Sequence, residues 1–179
     1  MVAEAPGRTI ALVGLMGAGK STVGRRLAHA LGMPFRDADS EIEAAAGRSI
    51  SDIFATFGET AFRDGERRVI ARLLDEPPHV LATGGGAFVD DQTRALINAR
   101  AISVWLKADV EVLARRVARR DTRPLLIGKD PLEVLRGHAL ARHDRYAEAQ
   151  ITVETGESAH QLAVEAIIAA LAGRMVAQP

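Results

Sequence analysis

Gly14-Leu15-Met16-Gly17-Ala18-Gly19-Lys20-Ser21 is a complete G-x-x-x-x-G-K-S pattern, with Thr22 directly after it. Glycines at this spacing let the backbone curl until successive N–H groups converge on phosphate oxygens, and the helix that follows adds its positive end. Lys20 then reaches the outer phosphates of a nucleoside triphosphate, and Ser21 offers a hydroxyl to Mg2+. A glycine-rich turn with an accidental Lys-Ser would match the same letters. This one directly follows the apolar run Ile10–Val13 and opens a helical pattern, which is the setting a phosphate loop requires.

Other residues could do chemistry beside it. A second strand candidate ends in Asp37-Ala38-Asp39. In an extended chain residues i and i+2 point the same way, so Asp37 can face a magnesium shell and Asp39 a substrate hydroxyl. The plainer reading makes Asp39 or Ser40 a helix cap, and the two roles are compatible. Arg63 and Glu66 follow Phe54 and Phe62 and, in isolation, read as a surface i, i+3 ion pair. Gly84-Gly85-Gly86 follow the apolar run Val80–Ala82, where a parallel sheet displays its ligand-binding edge and glycines expose bare backbone amides.

The segment from Arg115 to Leu126 is densely basic but holds no aromatic residue for stacking bases. Lys plus Arg equal Asp plus Glu at 23 each, so no global field recruits nucleic acid or an anionic membrane. A lid whose arginine closes over a transferred phosphoryl fits better, with Arg115 or Arg116 left on a solvated helix face. In Arg142-His143-Asp144-Arg145-Tyr146, one arginine is expected to return to the site. His143 is expected to be exposed, since phosphoryl transfer asks little of a general base.

The elements that must hold these residues alternate. Strand-length apolar runs at 10–13, 34–37, 80–82, 102–106 and 151–153 are separated by helical patterns, which predicts a parallel sheet covered on both faces. Val23, Leu27 and Leu31 share one helix face, Gly32 and Pro34 end that helix, and Asp109 and Asp130 are candidate caps. Val164, Ile167, Ile168 and Leu171 form a core stripe near the end of the chain. At 179 residues one domain is expected. The chain has no cysteine, no basic-then-apolar leader and no apolar run approaching ~18 residues, so a soluble, cytoplasmic protein is expected.

Taken in order, Gly14–Thr22, Asp37-Ala38-Asp39, Phe62-Arg63, Gly84-Gly85-Gly86, Arg123-Pro124-Leu125-Leu126 and Arg142 with Tyr146 resemble shikimate kinase over nearly the whole chain. The resemblance implies an α/β fold of P-loop NTPase type, three layers α/β/α, with a five-stranded parallel sheet in the order 2-3-1-4-5. It implies one P-loop kinase domain over residues 1–179, with a shikimate-binding region at 39–68 and a lid at 115–130. It further implies transfer of the ATP γ-phosphoryl to the 3-hydroxyl of shikimate with Mg2+, by a monomer that binds neither nucleic acid nor membrane.

Carried over by matched position, Asp39, Arg63, Gly85, Gly86 and Arg142 resemble shikimate contacts, with Phe54 and Phe62 as apolar walls. Gly17, Ala18, Gly19, Lys20, Ser21 and Thr22 resemble the nucleotide grip. Lys20, Asp37, Asp39 and Arg123 form the catalytic set, and Ser21 and Asp37 the metal ligands. Arg119, rather than Arg120, is taken as the arginine flanking adenine, and Glu66 as the residue that holds Arg63. The segment 154–158 should lie near the adenine. Two other readings keep part of this: a gluconate-type small-metabolite kinase sharing loop, sheet and lid, and a nucleotide-dependent switch that transfers nothing.

Overall fold

Thr9–Val13 (β1), Val80–Ala82 (β3) and Ala101–Lys107 (β4) are almost continuously apolar and almost wholly buried, as strands must be when helices cover both sheet faces. Phe35–Asp37 (β2) and Ile151–Glu154 (β5) complete an all-parallel five-stranded sheet in the order β2-β3-β1-β4-β5. The computed structural model describes residues 5–119, 128–157 and 160–176. The expected order and strand positions are therefore present, with one difference. Edge strand β5 alternates buried and exposed residues, because an edge is covered less completely than the centre.

The helices are Lys20–Leu31 (α1), Ala38–Ala46 (α2), Ile50–Leu74 (α3), Asp91–Arg100 (α4), Val110–Ala118 (α5), Pro131–Tyr146 (α6) and His160–Val176 (α7). Helix α1 buries Val23, Leu27 and Leu31 as its spacing predicts, and Gly32 ends it in a left-handed cap whose N–H returns to the Ala28 carbonyl. Val164, Ile167 and Leu171 of α7 are buried, with Ile168 packed at the margin. Asp130 caps α6 by accepting from the Leu132 N–H at 3.1 Å, and Pro131 fills the first turn. Asp109 stands at the N-cap of α5, but its side chain makes no capping bond. Helix α3 breaks at Gly58, so the part that carries Phe54 and the part that carries Phe62, Arg63 and Glu66 run along different axes.

Strand register is what assembles the site. Asp37 pairs with Ala82, and Ala82 with Leu12. The carboxyl ends of β2, β3 and β1 are thus level, and Asp37, the Thr83–Gly86 turn and the phosphate loop emerge side by side.

Candidate active site

The loop after β1 holds its shape through glycine. Gly17 and Gly19 have φ of 81° and 89°, and a Cβ on Gly17 would stand 2.9 Å from the Val117 methyl. Gly19 is the N-cap of α1 and brings no side chain to it, which leaves the first-turn N–H groups facing an anion site. Lys20 is buried and arches back over the loop, its Nζ donating to the carbonyls of Gly14 at 2.6 Å and Leu15 at 2.9 Å. Arg116 braces the loop from outside, donating to the Gly17 carbonyl at 3.2 Å and the Gly156 carbonyl at 2.5 Å.

Asp37 is both the last residue of β2 and the N-cap of α2. Its Oδ1 accepts from the N–H groups of Asp39 and Ser40 at 3.1 and 3.3 Å, and its Oδ2 accepts from the Ser21 hydroxyl at 2.6 Å. This corrects two expectations. The cap is Asp37, not Asp39 or Ser40, and the helix begins at Ala38, so extended alternation does not align the two carboxylates. Both residues nevertheless line one cavity at the sheet edge.

Two cavities open at the sheet edge. One, about 370 Å³, lies over Gly17, Gly19, Lys20, Ser21 and Thr22 and reaches Arg116, Arg119 and His160. The other, about 280 Å³, is walled by Phe54 and Phe62, whose rings are 4.6 Å apart, and holds Arg63, Glu66 and Arg142. Asp39, Gly84 and Gly85 line both, and Asp37 lines the first.

Arg63 and Glu66 are no surface pair. Glu66 is 1% exposed, and its Oε1 accepts from Arg63 Nη1 at 2.6 Å. Burial pushes the Glu66 carboxyl above its usual range; Arg63 opposes that shift, while Asp39 and Asp90 add to it. The guanidinium lies against Gly86, where any Cβ would collide with it. Asp39 Oδ1 and Glu66 Oε2 each stand 3.0 Å from where a Gly84 Cβ would be. The glycine run therefore makes room for protein side chains as well as for a ligand. Arg142 donates to the Gly85 carbonyl at 3.2 Å, and the Tyr146 hydroxyl donates to the same oxygen.

The structure brings together all the expected site residues except Arg123, which lies outside the described residues along with Arg120 and Ser158. Arg119 is exposed at the rim of the nucleotide-side cavity, and His143 is exposed as expected. Arg115 does sit on a solvated face, paired with Glu157, but Arg116 does not. Its signal was available, because Leu113, Arg116 and Val117 share one helix face and the two apolar members are buried. His160, whose ring packs against Gly19, had no such signal.

A phosphate loop at the carboxyl edge of a 2-3-1-4-5 parallel sheet, beside a second cavity reached through shared residues, defines a P-loop kinase. The family profile described as shikimate kinase matches residues 16–172. The chain belongs to the shikimate kinase family, ATP-dependent kinases. It is 74% identical over 164 residues to a shikimate kinase of Caulobacter vibrioides, covering 92% of this chain and 82% of that protein. The solved structure of Acinetobacter baumannii shikimate kinase in complex with shikimate superposes with a TM-score of 0.90 at 40% identity, covering 93% of this chain and 94% of that one. A gluconokinase from Sinorhizobium meliloti reaches a TM-score of only 0.59 at 22% identity, covering 96% of this chain and 97% of that one, and so shares the fold alone.

Proposed function

We propose that this chain moves the γ-phosphoryl of ATP to the 3-hydroxyl of shikimate, with the triphosphate on the Gly14–Thr22 loop and shikimate in the cavity walled by Phe54 and Phe62. The observation that carries this reading is the sharing of Asp39, Gly84 and Gly85 by the two cavities, since a phosphoryl group must pass from one to the other. The acceptor cavity suits a hydroxylated carboxylate. Arg63 and Arg142 clamp the carboxylate, Asp39 accepts from the attacking hydroxyl, and the backbone of Gly85 and Gly86 borders the ring.

In the transfer, the acceptor oxygen bonds to the γ-phosphorus as the bond to the β,γ-bridging oxygen breaks, and the hydroxyl proton passes to Asp39. Positioning supplies most of the rate, because the transition state is loose. Lys20 neutralises charge on the outer phosphates, Arg119 flanks the adenine, and Arg123 closes over the transferred group. Glu66 holds Arg63 in place. Residues 39–68 serve as the acceptor-binding part and 115–130 as the lid of one kinase domain that works as a monomer.

Among the described residues no three His, Asp or Glu side chains converge as a metal cage. The two hard oxygens that do meet, Ser21 Oγ and Asp37 Oδ2, fit Mg2+, which keeps waters and substrate phosphates as its other ligands. When bound there, Mg2+ neutralises phosphate charge.

A coupled assay of ADP release tests the assignment. Release with Mg2+ and ATP should require shikimate and ignore gluconate. Turnover with gluconate and none with shikimate would overturn the acceptor, and shikimate-independent release would favour a nucleotide switch.

A further inference from the structure

Tyr146 is the only tyrosine in the chain, and it lines neither large cavity. It is 1% exposed, stacked on the only tryptophan, Trp105, with ring centroids 5.7 Å apart. Its hydroxyl spans from α6 to the Gly85 carbonyl. Arg142, one turn earlier on the same helix face, donates to that same oxygen, so both lone pairs of the carbonyl are taken.

We propose that Tyr146 is a positioning residue for the acceptor site: its hydroxyl fixes the Gly85-Gly86 peptide, and through that peptide both arginines that face the acceptor carboxylate. This rests on the carboxylate-clamp reading of Arg63 and Arg142. A trans peptide is planar, so holding the Gly85 carbonyl toward α6 turns the Gly86 N–H the opposite way. Arg142 takes its place by donating to the Gly85 carbonyl, and Arg63 by lying against Gly86. One peptide is therefore the reference surface for both cations. The arginines are long and flexible, whereas the tyrosine ring is fixed by packing, and its hydroxyl is the rigid member of the set. Burial raises the phenol above its usual range, so it stays a donor at working pH. Behind the ring, Trp105 stands 3.5 Å from where a Gly14 Cβ would be, so the tyrosine leans on a wall that also supports the phosphate loop.

Without the hydroxyl, the carbonyl keeps one donor and the peptide can rotate, carrying both arginines off register. Tyr146→Phe removes that oxygen and keeps the ring. It should raise KM for shikimate about tenfold and leave KM for ATP within about twofold. In an Arg142→Ala background Tyr146→Phe should still raise KM for shikimate severalfold, since Arg63 keeps its dependence on the Gly85-Gly86 peptide after Arg142 is gone. If Arg142→Ala raises KM for shikimate and Tyr146→Phe does not, or if Tyr146→Phe raises both KM values alike, the positioning role is wrong and the clamp reading stands. If Arg142→Ala leaves KM for shikimate unchanged, the clamp reading falls and this inference with it. A measurement on the unmutated sequence guards against a variant that fails to fold. With 3-fluorotyrosine incorporated, the single tyrosine gives one ¹⁹F resonance, which saturating shikimate should shift more than Mg2+-ATP does. A resonance indifferent to shikimate would overturn the proposal.

Discussion

The cavity proposed for the phosphates is built chiefly on one stretch, Gly17–Thr22, much of which faces it as backbone, with Asp37, Arg116, Arg119 and His160 at its margin; the cavity proposed for the acceptor is built from side chains scattered from Asp39 to Arg142 over three helices and a glycine turn. A backbone grip can be charged and still cheap to bury, because N–H groups at a helix start carry only partial charges. A side-chain grip for a small anion must bury full charges, and these need partners. Arg63 has Glu66, and the two groups whose protonation burial shifts upward, Glu66 and Tyr146, both belong to the acceptor half. His138, one turn before Arg142 on α6, is held below its usual range by burial and by the Arg142 and Lys129 charges, with Glu59 opposing. The phosphate half is thus a shared grip that many acceptors could use. The acceptor half is a network in which Arg63 and Glu66 depend on each other and Arg142 rests on the Gly85 carbonyl.

The largest effect is expected from removing the buried cation of the donor half, Lys20. Lys20→Ala should cut kcat by ~10³-fold or more while shikimate affinity, measured by calorimetry, stays within about threefold. A parallel loss of shikimate binding would show that the halves are not separable. Next, Arg63→Ala and Arg142→Ala should each raise KM for shikimate or lower turnover by about 10²-fold, with ADP affinity nearly unchanged. Equal loss of nucleotide binding would remove the carboxylate clamp from the acceptor half.

A smaller effect separates the presence of a charge from its position. In Gly86→Ala the new methyl meets the mobile end of Arg63 and not backbone, so the fold should yield easily while the guanidinium is displaced. Tm should stay within about 2 °C, and kcat/KM for shikimate should fall roughly tenfold. An unaltered kcat/KM would mean that Arg63 can act from another seat.

The same contrast decides what was legible in the chain. The phosphate loop, the five strands and their flanking helices are local patterns and could be read residue by residue. The acceptor half was legible through the resemblance of ordered motifs, because nothing in the spacing of Arg63, Gly86 and Arg142 says that they meet. Where local rules failed, tertiary structure had supplied the partner. Asp37 took the cap that Asp39 or Ser40 was expected to take, since the strand ends one residue earlier than an aligned pair would need. Glu66 lies on the buried stripe of Phe62, Val69, Ile70 and Leu73, where a charge is costly unless paired, and that misplacement was itself the signal of a second role.

Glu66 also offers the mildest and most diagnostic change. Burial raises its carboxyl above the ordinary 4.5, so the folded state binds a proton more tightly than the unfolded chain. Its contribution to stability is then full below the unfolded value and is lost as pH rises through the folded one. Glu66→Gln keeps an oxygen for Arg63 and removes the titration. The variant should gain on the parent as pH rises from about 5 to 8, by a few degrees in Tm, roughly the response of a domain this size to ~1 kcal/mol. Its KM for shikimate should rise less than that of Arg63→Ala, because the hydrogen bond to Arg63 survives. A variant that instead loses ground to the parent with rising pH would mean that Arg63 outweighs burial and holds Glu66 ionised. The acceptor half would then rest on a fully charged pair, and its difference from the phosphate half would be one of wiring without a cost in buried charge.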